Sequence, residues 1–284
     1  MPILSQTNSS FHMRCNVLGV RVSAIDMNDA VRFCDDHIQQ GHRGYVCVTG
    51  VHGVMEAQND QRFRKILNNS FLTTPDGMPT VWVGRLQGHG GMARVYGPDF
   101  MLRMCELSLK RGYRHFLFGG DPGVAESLAE SLVQRFPGLQ IAGTYTPPYR
   151  LLNSAEEQEL LEKVQATEPH ILWVGLSTPK QERFMAQYID KLPVNLFVGV
   201  GAAFNINSGR IADAPQWMKD SGLQWLHRMV QEPRRLVKRY AVNNSLFLCH
   251  IALQLTGIRS YEPRISSYAS NRITSDAEQS ESYK

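Results

Sequence analysis

Phe71-Leu72-Thr73-Thr74-Pro75-Asp76-Gly77-Met78-Pro79 reads as a β-favouring run that ends on a carboxylate, a glycine and the start of a helix. A buried strand would carry Asp76 to its carboxyl end. In open α/β sheets that edge is where ligands sit, because loops converge there and the next helix begins with unpaired N–H groups. Asp76 is therefore the candidate base. The plain reading is a Pro-Asp-Gly turn, with aspartate bonding its own backbone and glycine at positive φ, so the flanking stretches have to decide.

Working outward, the same unit recurs. Tyr45-Val46-Cys47-Val48-Thr49 is close to continuously apolar, as a strand covered on both faces is, and residues 54–67 carry a helical pattern between it and the Asp76 run. Further back, Val17-Leu18-Gly19-Val20-Arg21-Val22 reads as a first strand, and 27–38 as a helix with Met27, Ala30, Val31 and Cys34 on its apolar face. On the other side, 78–86 reads as a helix and Gln87-Gly88-His89-Gly90-Gly91-Met92 as a glycine-rich connection. Pro98 is placed as the first residue of a helix running to about residue 110. His115-Phe116-Leu117-Phe118-Gly119-Gly120-Asp121-Pro122-Gly123 gives strand, glycine turn and helix start, with Asp121 as cap and Pro122 at the first helical position. Residues 139–143, 170–176 and 195–201 read as further strands. Residues 154–165 and 179–189 read as helices, the first opened by a capping box of Ser154 and Glu157. Such alternation predicts a mostly parallel α/β sheet.

The 284 residues fit one large α/β domain, 1–215, with an appendage. After Pro215 the character changes. Apolar positions at helical spacing are surrounded by Arg228, Arg234, Arg235, Lys238 and Arg239, and Pro233 is expected to break or kink the helix. Leu246-Phe247-Leu248-Cys249-His250-Ile251-Ala252-Leu253 is apolar but too short to span a bilayer. The appendage is thus 216–265, and 266–284 reads as a polar, disordered tail. A net charge of +4 does not mark a nucleic-acid binder, and five scattered cysteines suit reduced thiols in a cytoplasm. Residues 1–15 lack a signal-peptide pattern, so any membrane contact is expected to be peripheral.

Gly119 and Gly120 would bring backbone N–H groups close to a bound diphosphate, although glycine turns of this kind also occur without a ligand. The run is not GxGxxG, and no acidic residue follows where a dinucleotide ribose wants one, which counts against an NAD enzyme. In Ser177-Thr178-Pro179-Lys180-Gln181-Glu182, helix initiation alone explains most residues, with Thr178 capping and Gln181 closing a capping box. Position on the same sheet edge as Asp76 makes Gln181 a candidate ligand contact as well. Arg94 is either a solvated charge or the cation that meets a departing diphosphate. Thr49 ends its strand beside the predicted site, as a plain strand residue or a sugar contact, and His52 reads as a loop or packing histidine. No Asp-x-Asp pair or His/Asp/Glu cluster has metal-ligand spacing, so no catalytic metal is expected. Gly-x-Ser-x-Gly and Walker A are absent, which weakens hydrolase and phosphoryl-transfer readings.

Together these stretches resemble the bacterial WecG/TagA/CpsF glycosyltransferases, family 26. The resemblance is carried by Val48-Thr49 through Glu56-Ala57, Pro75-Asp76-Gly77-Met78-Pro79, Arg94-Val95-Tyr96-Gly97-Pro98-Asp99, Phe116-Leu117-Phe118-Gly119-Gly120, the Val174-Gly175-Leu176 run continuing to Glu182, and Gly199-Val200-Gly201-Ala202-Ala203-Phe204. Ala214-Pro215, Gly222-Leu223-Gln224-Trp225-Leu226-His227-Arg228 and Glu232-Pro233-Arg234-Arg235 complete it, in order, from about residue 17 to 240. It implies a Rossmann-like domain with helices on both faces and a C-terminal appendage that reaches the membrane. It also implies inverting, metal-independent transfer from a UDP-sugar to a polyprenyl-diphosphate-linked sugar on the inner face of the cytoplasmic membrane, in cell-surface or exopolysaccharide synthesis. The family's base maps onto Asp76, its strand-end threonine onto Thr49, its diphosphate-side arginine onto Arg94 and its glutamine onto Gln181. Where some members carry an asparagine, this chain has Val51.

Gly119, Gly120, Asp121, Gly199 and Gly201 form the candidate donor-binding set. Arg228, Arg234, Arg235, Lys238 and Arg239 form the candidate membrane-associating set, against the plain reading of a helix packed on the core with solvated arginines. No cofactor and no nucleic-acid partner is expected, and a homo-oligomer is compatible with the sequence. Two other functions stay open at this point: an NAD-dependent nucleotide-sugar-modifying enzyme, and a non-catalytic module binding UDP or polyprenyl phosphate.

Overall fold

The computed structural model describes residues 13–263, apart from the side chains of Asp220, Arg235 and Arg239. The tail expected at 266–284 lies outside the described residues. The chain opens with strands β1 (Arg14–Val17) and β2 (Val20–Ser23), which pair with each other as an antiparallel two-stranded sheet. The stretch read as one strand is therefore a hairpin. Its turn places Leu18 at φ 52° and Gly19 at φ 81°, the doubly left-handed geometry of a tight hairpin turn. Leucine is costly there. Its main chain is held by two distant glutamines, Gln254 accepting from the Leu18 N–H at 2.8 Å and Gln58 donating to its carbonyl at 2.8 Å.

Helix α1 (Met27–Gln39) follows, capped by Asp26, then β3 (Gly44–Thr49), α2 (Val51–Asn59), α3 (Gln61–Asn68) and β4 (Leu72–Pro75). The single helix expected over 54–67 is two. Asp60 interrupts it because its carboxylate caps the second, accepting from the N–H groups of Arg62 at 2.8 Å and Phe63 at 3.1 Å. Next come α4 (Met78–Leu86), α5 (Gly97–Arg111, with Pro98 as its second residue), β5 (Arg114–Gly119), α6 (Val124–Arg135) and β6 (Gln140–Tyr145). Helix α6 starts after Gly123 rather than at Asp121 and Pro122. Helix α7 (Ser154–Thr167) opens on a capping box of Asn153 and Glu156, one residue earlier than expected. Then come β7 (Ile171–Gly175), α8 (Lys180–Tyr188), β8 (Leu196–Gly199) and the short α9 (Ala203–Asn207).

The six later strands form one parallel sheet in the order β4-β3-β8-β7-β5-β6. Alternate residues feed separate cores. Tyr45, Cys47, Phe116, Phe118, Leu172, Val174 and Phe197 pack on one face, and Val46, Val48, Leu117, Ile171, Trp173, Leu196 and Val198 on the other. This is why the strands read as continuously apolar. Because every strand runs the same way, all six carboxyl ends share one rim.

The C-terminal segment forms α10 (Gln216–Asp220), α11 (Gln224–Gln231) and α12 (Pro233–Leu255). The helical run breaks at Pro233 as expected: α11 ends at Gln231 and Pro233 begins α12, where a missing N–H costs nothing, and the apolar run 246–253 is the later half of that same helix. One side of α12 packs on α2, where Phe247 and Ile251 join the core of Val54 and Met55, while Gln254 also donates to the Asn16 carbonyl at 2.8 Å. Among the described residues, no helix is long and apolar enough to cross a membrane.

Candidate active site

A cavity of about 990 Å³ opens at the carboxyl rim of the sheet. Asp76, Arg94 and Gln181 line it, as do Gly120, Asp121 and Gly201. Arg228, read from sequence as part of a basic membrane stretch, lines it too.

Asp76 is set by the backbone on both sides. Its N–H donates to the Thr49 carbonyl at 3.1 Å, and the preceding Pro75 carbonyl accepts from Val95 at 2.8 Å. Helix α5 has no side-chain cap of its own. The Gly97 N–H in its first turn instead faces the Asp76 carboxylate, where the helix carries partial positive charge. Oδ1 is sealed from solvent and has no hydrogen-bond partner. Burial pushes this carboxyl up from its ordinary value, and the opposing pull of Arg94, Arg228 and the Gly97 N–H does not cancel that rise. A buried oxygen without a donor is costly, and this one belongs to a residue facing an open cavity.

Arg94 is oriented rather than free. Its Nη1 donates to Gln224 Oε1 at 2.8 Å, and its guanidinium lies 4.8 Å over the Tyr96 ring. The Tyr96 hydroxyl donates to Asp213 at 2.9 Å, and Asp213 is ion-paired with Lys219. Lys219 also reaches Asp99 at 3.3 Å. Through these contacts α10 and α11 close one wall of the cleft. Sequence reasoning missed Gln224, Tyr96 and Asp213. Tyr96 and Gln224 lie inside two of the stretches that carry the resemblance, which is the signal that could have found them.

Across the cleft, Ser177 sits at φ 63°, a strained left-handed geometry for a residue with a side chain. The expected capping box at the start of α8 is absent. Thr178 donates instead to Glu182 Oε1 at 2.8 Å, and Gln181 Nε2 donates to the same oxygen at 3.1 Å. Gln181 is packed under the end of β8, where a Cβ on Gly199 would come within 3.1 Å of its Nε2. Its Oε1 has no partner. Glu182 is wholly buried, and burial raises its carboxyl despite those two donors.

Three expectations change. Thr49 is buried, its hydroxyl donates to the Cys47 carbonyl at 3.3 Å, and it is not among the cleft-lining residues. Its contribution is the carbonyl that holds Asp76. Gly119 and Gly199 lie behind the cleft wall. The Gly120 N–H, expected to meet a diphosphate, donates to the Gly175 carbonyl at 3.1 Å. Glycine is required at 119 because a Cβ there would sit 2.8 Å from the Gly175 backbone. Asp121 faces the cleft and accepts from the Tyr149 hydroxyl at 2.5 Å. Val51 and His52 line the start of α2, His52 being 3.1 Å from Asn243 of α12. Among the described residues, no group of three or more His, Cys, Asp or Glu side chains is placed to hold a metal ion.

A doubly covered parallel sheet whose carboxyl rim opens into one cleft, with the Asp76 carboxylate under the influence of two guanidinium groups, defines a Rossmann-like α/β protein with a candidate site at that rim. The chain belongs to the WecG/TagA/CpsF glycosyl transferase family, whose model matches residues 15–261. It is 27% identical over 199 residues to an N-acetylglucosaminyldiphosphoundecaprenol N-acetyl-beta-D-mannosaminyltransferase of Bacillus spizizenii, covering 70% of this chain and 76% of that protein. It is 28% identical over 180 residues to a protein of the same name from Bacillus subtilis, covering 63% and 68%. This chain is thus a glycosyltransferase, which sets aside the dehydrogenase and binding-module readings.

Proposed function

We propose that the chain transfers a hexose, of the N-acetylmannosamine type, from a UDP-sugar to a polyprenyl-diphosphate-linked sugar, with inversion and without a metal. The observation that carries this reading is Asp76, whose unpartnered Oδ1 belongs to a cleft-lining carboxylate with Arg94 and Arg228 acting on it electrostatically. The relatives' names support the acceptor class and a β-mannosaminyl product.

In the transfer, an acceptor hydroxyl oxygen attacks C1 of the donor sugar and Asp76 takes its proton. The bond from C1 to the diphosphate oxygen breaks with its electron pair, and UDP departs carrying that charge. Arg94 and Arg228 meet the charge with groups already oriented before the reaction. A raised carboxyl pKa suits a base, since a proton acceptor works best when its pKa approaches the working pH. Gln181 faces the sugar through its unpartnered Oε1, and Asp121 with Gly201 borders the donor.

The acceptor's lipid stays in the bilayer, so the enzyme works at the inner face of the cytoplasmic membrane. Exposed Arg234 and Lys238 on the first turns of α12 support this location, each cation near an anionic surface contributing about 1 kcal/mol. UDP release, measured across a panel of UDP-sugars with a prenyl-diphosphate-linked N-acetylglucosamine acceptor, tests the reading. Release with UDP-N-acetylmannosamine only when the acceptor is present is the expected result. Equal release with and without acceptor contradicts it.

A further inference from the structure

The chain has four tryptophans. Trp173 is buried in the sheet, whereas Trp82, Trp217 and Trp225 are exposed by 50%, 64% and 40%. Two of the exposed three, Trp82 on α4 and Trp225 on α11, line the mouth of the cleft. They come from opposite ends of the chain and meet through Gly222, where a Cβ would lie 3.0 Å from Met78 and 3.9 Å from Trp82. Trp217 sits on α10, just before that glycine.

On α4, Met78, Trp82 and Leu86 are spaced four residues apart and so follow one helix face. Exposure rises along this strip from the cleft outward, with Met78 half-buried, Trp82 half-exposed and Leu86 exposed by 71%. Exposed Arg85 stands beside the outer end. Packing does not explain the strip, since a helix that only covers a core turns its large apolar residues inward. Beyond Gly222, the Trp225 ring meets Tyr240 at 6.0 Å. Lys238 is exposed on the same stretch of α12.

We propose that this aromatic collar, Trp82 and Leu86 with Trp217 and Trp225, seats the cleft mouth in the headgroup layer of an anionic bilayer. The catalytic domain's own α4 then forms half of the membrane contact. The occupant follows from chemistry. Indole rings with one apolar body and one polar N–H favour the membrane–water interface, and Arg85 and Lys238 beside them complement anionic headgroups. A diphosphate-linked lipid holds its diphosphate at that same depth, so its sugar can enter the cleft only if the mouth lies there. The proposal rests on the lipid-linked acceptor proposed above.

The test uses the full-length protein and vesicles of phosphatidylglycerol and phosphatidylcholine. Tryptophan emission is expected to move to shorter wavelength on binding, with quenching by acyl chains brominated near the headgroup. Leu86→Glu, outside the cleft, is expected to lower vesicle partition roughly tenfold. Its transfer to a water-soluble short-prenyl acceptor stays at the wild-type rate, while transfer to a long-chain acceptor held in vesicles falls with partition. Trp217→Ser repeats the test on α10. Absent quenching overturns the proposal, as does wild-type partition by both variants or loss of transfer to the soluble acceptor. If wild-type protein transfers to neither acceptor, the functional reading fails, and the quenching alone still decides the collar.

Discussion

Asp76 and Glu182 are two carboxylates on one rim of the sheet, both raised above their ordinary range by burial, and the proposed function gives them different jobs. Each leaves one oxygen without a donor, but Asp76 lines the cleft and feels the charges of Arg94 and Arg228. Glu182 is wholly enclosed and receives Thr178 and Gln181 on one oxygen. A raised pKa therefore does not identify a base by itself. Position separates the two: Asp76 lines the cleft and Glu182 does not, so on the proposed mechanism Glu182 acts by shaping the loop that carries Gln181.

The sharpest way to break this contrast is to neutralise each carboxylate in turn. Asp76→Asn is expected to lower transfer by about 10² to 10⁴ while UDP affinity, read by calorimetry, stays close to wild type. Glu182→Gln is expected to keep turnover within a few-fold. Comparable losses in both would erase the distinction. Next in size, Arg228→Ala is expected to cost about 10² in kcat through the leaving diphosphate. A purely peripheral arginine would change vesicle binding and leave kcat with a soluble acceptor intact. Gln224→Ala, which frees Arg94 without removing it, is expected to cost roughly tenfold, less than loss of the charge itself. Gln224→Glu should restore part of the rate, since its carboxylate can still accept from Arg94.

The smallest effect concerns stability. The folded pKa of Glu182 lies above its unfolded value, so its contribution is fully present below about pH 4.5 and is lost as pH rises through the folded pKa. Glutamine has nothing to ionise. Glu182→Gln is therefore expected to gain on wild type in thermal unfolding as pH increases, by about 1.4 kcal/mol per pH unit between about pH 4.5 and the folded pKa, levelling off beyond it. A constant difference across pH would show that Glu182 carries no raised pKa.

Much of the sheet was legible because strands buried on both faces leave a continuously apolar trace, as in Tyr45 to Val48. The place of Asp76 at the cleft was legible because its strand, carboxylate and glycine are contiguous. The hairpin at Leu18 was not. A leucine in a left-handed turn is tolerated only because Gln58 and Gln254, far along the chain, satisfy its main chain. The position of Arg228 was equally hidden. Cations at helical spacing look alike whether they face solvent or a cleft, and the choice here is made by α11 docking through Gln224 onto Arg94. The reason for glycine in the Gly119-Gly120 turn was also hidden: at 119 the backbone of the neighbouring strand leaves no room for a Cβ, and at 120 the Val124 side chain leaves none either.

The pH dependence of kcat/KM, taken on wild type and Glu182→Gln with a soluble acceptor, tests the role of Asp76 most directly. One acid limb is expected, reporting a single proton, displaced upward from the ordinary carboxylate range and identical in both proteins. A limb that disappears or moves when Glu182 is replaced would contradict it, as would a rate independent of pH on the acid side.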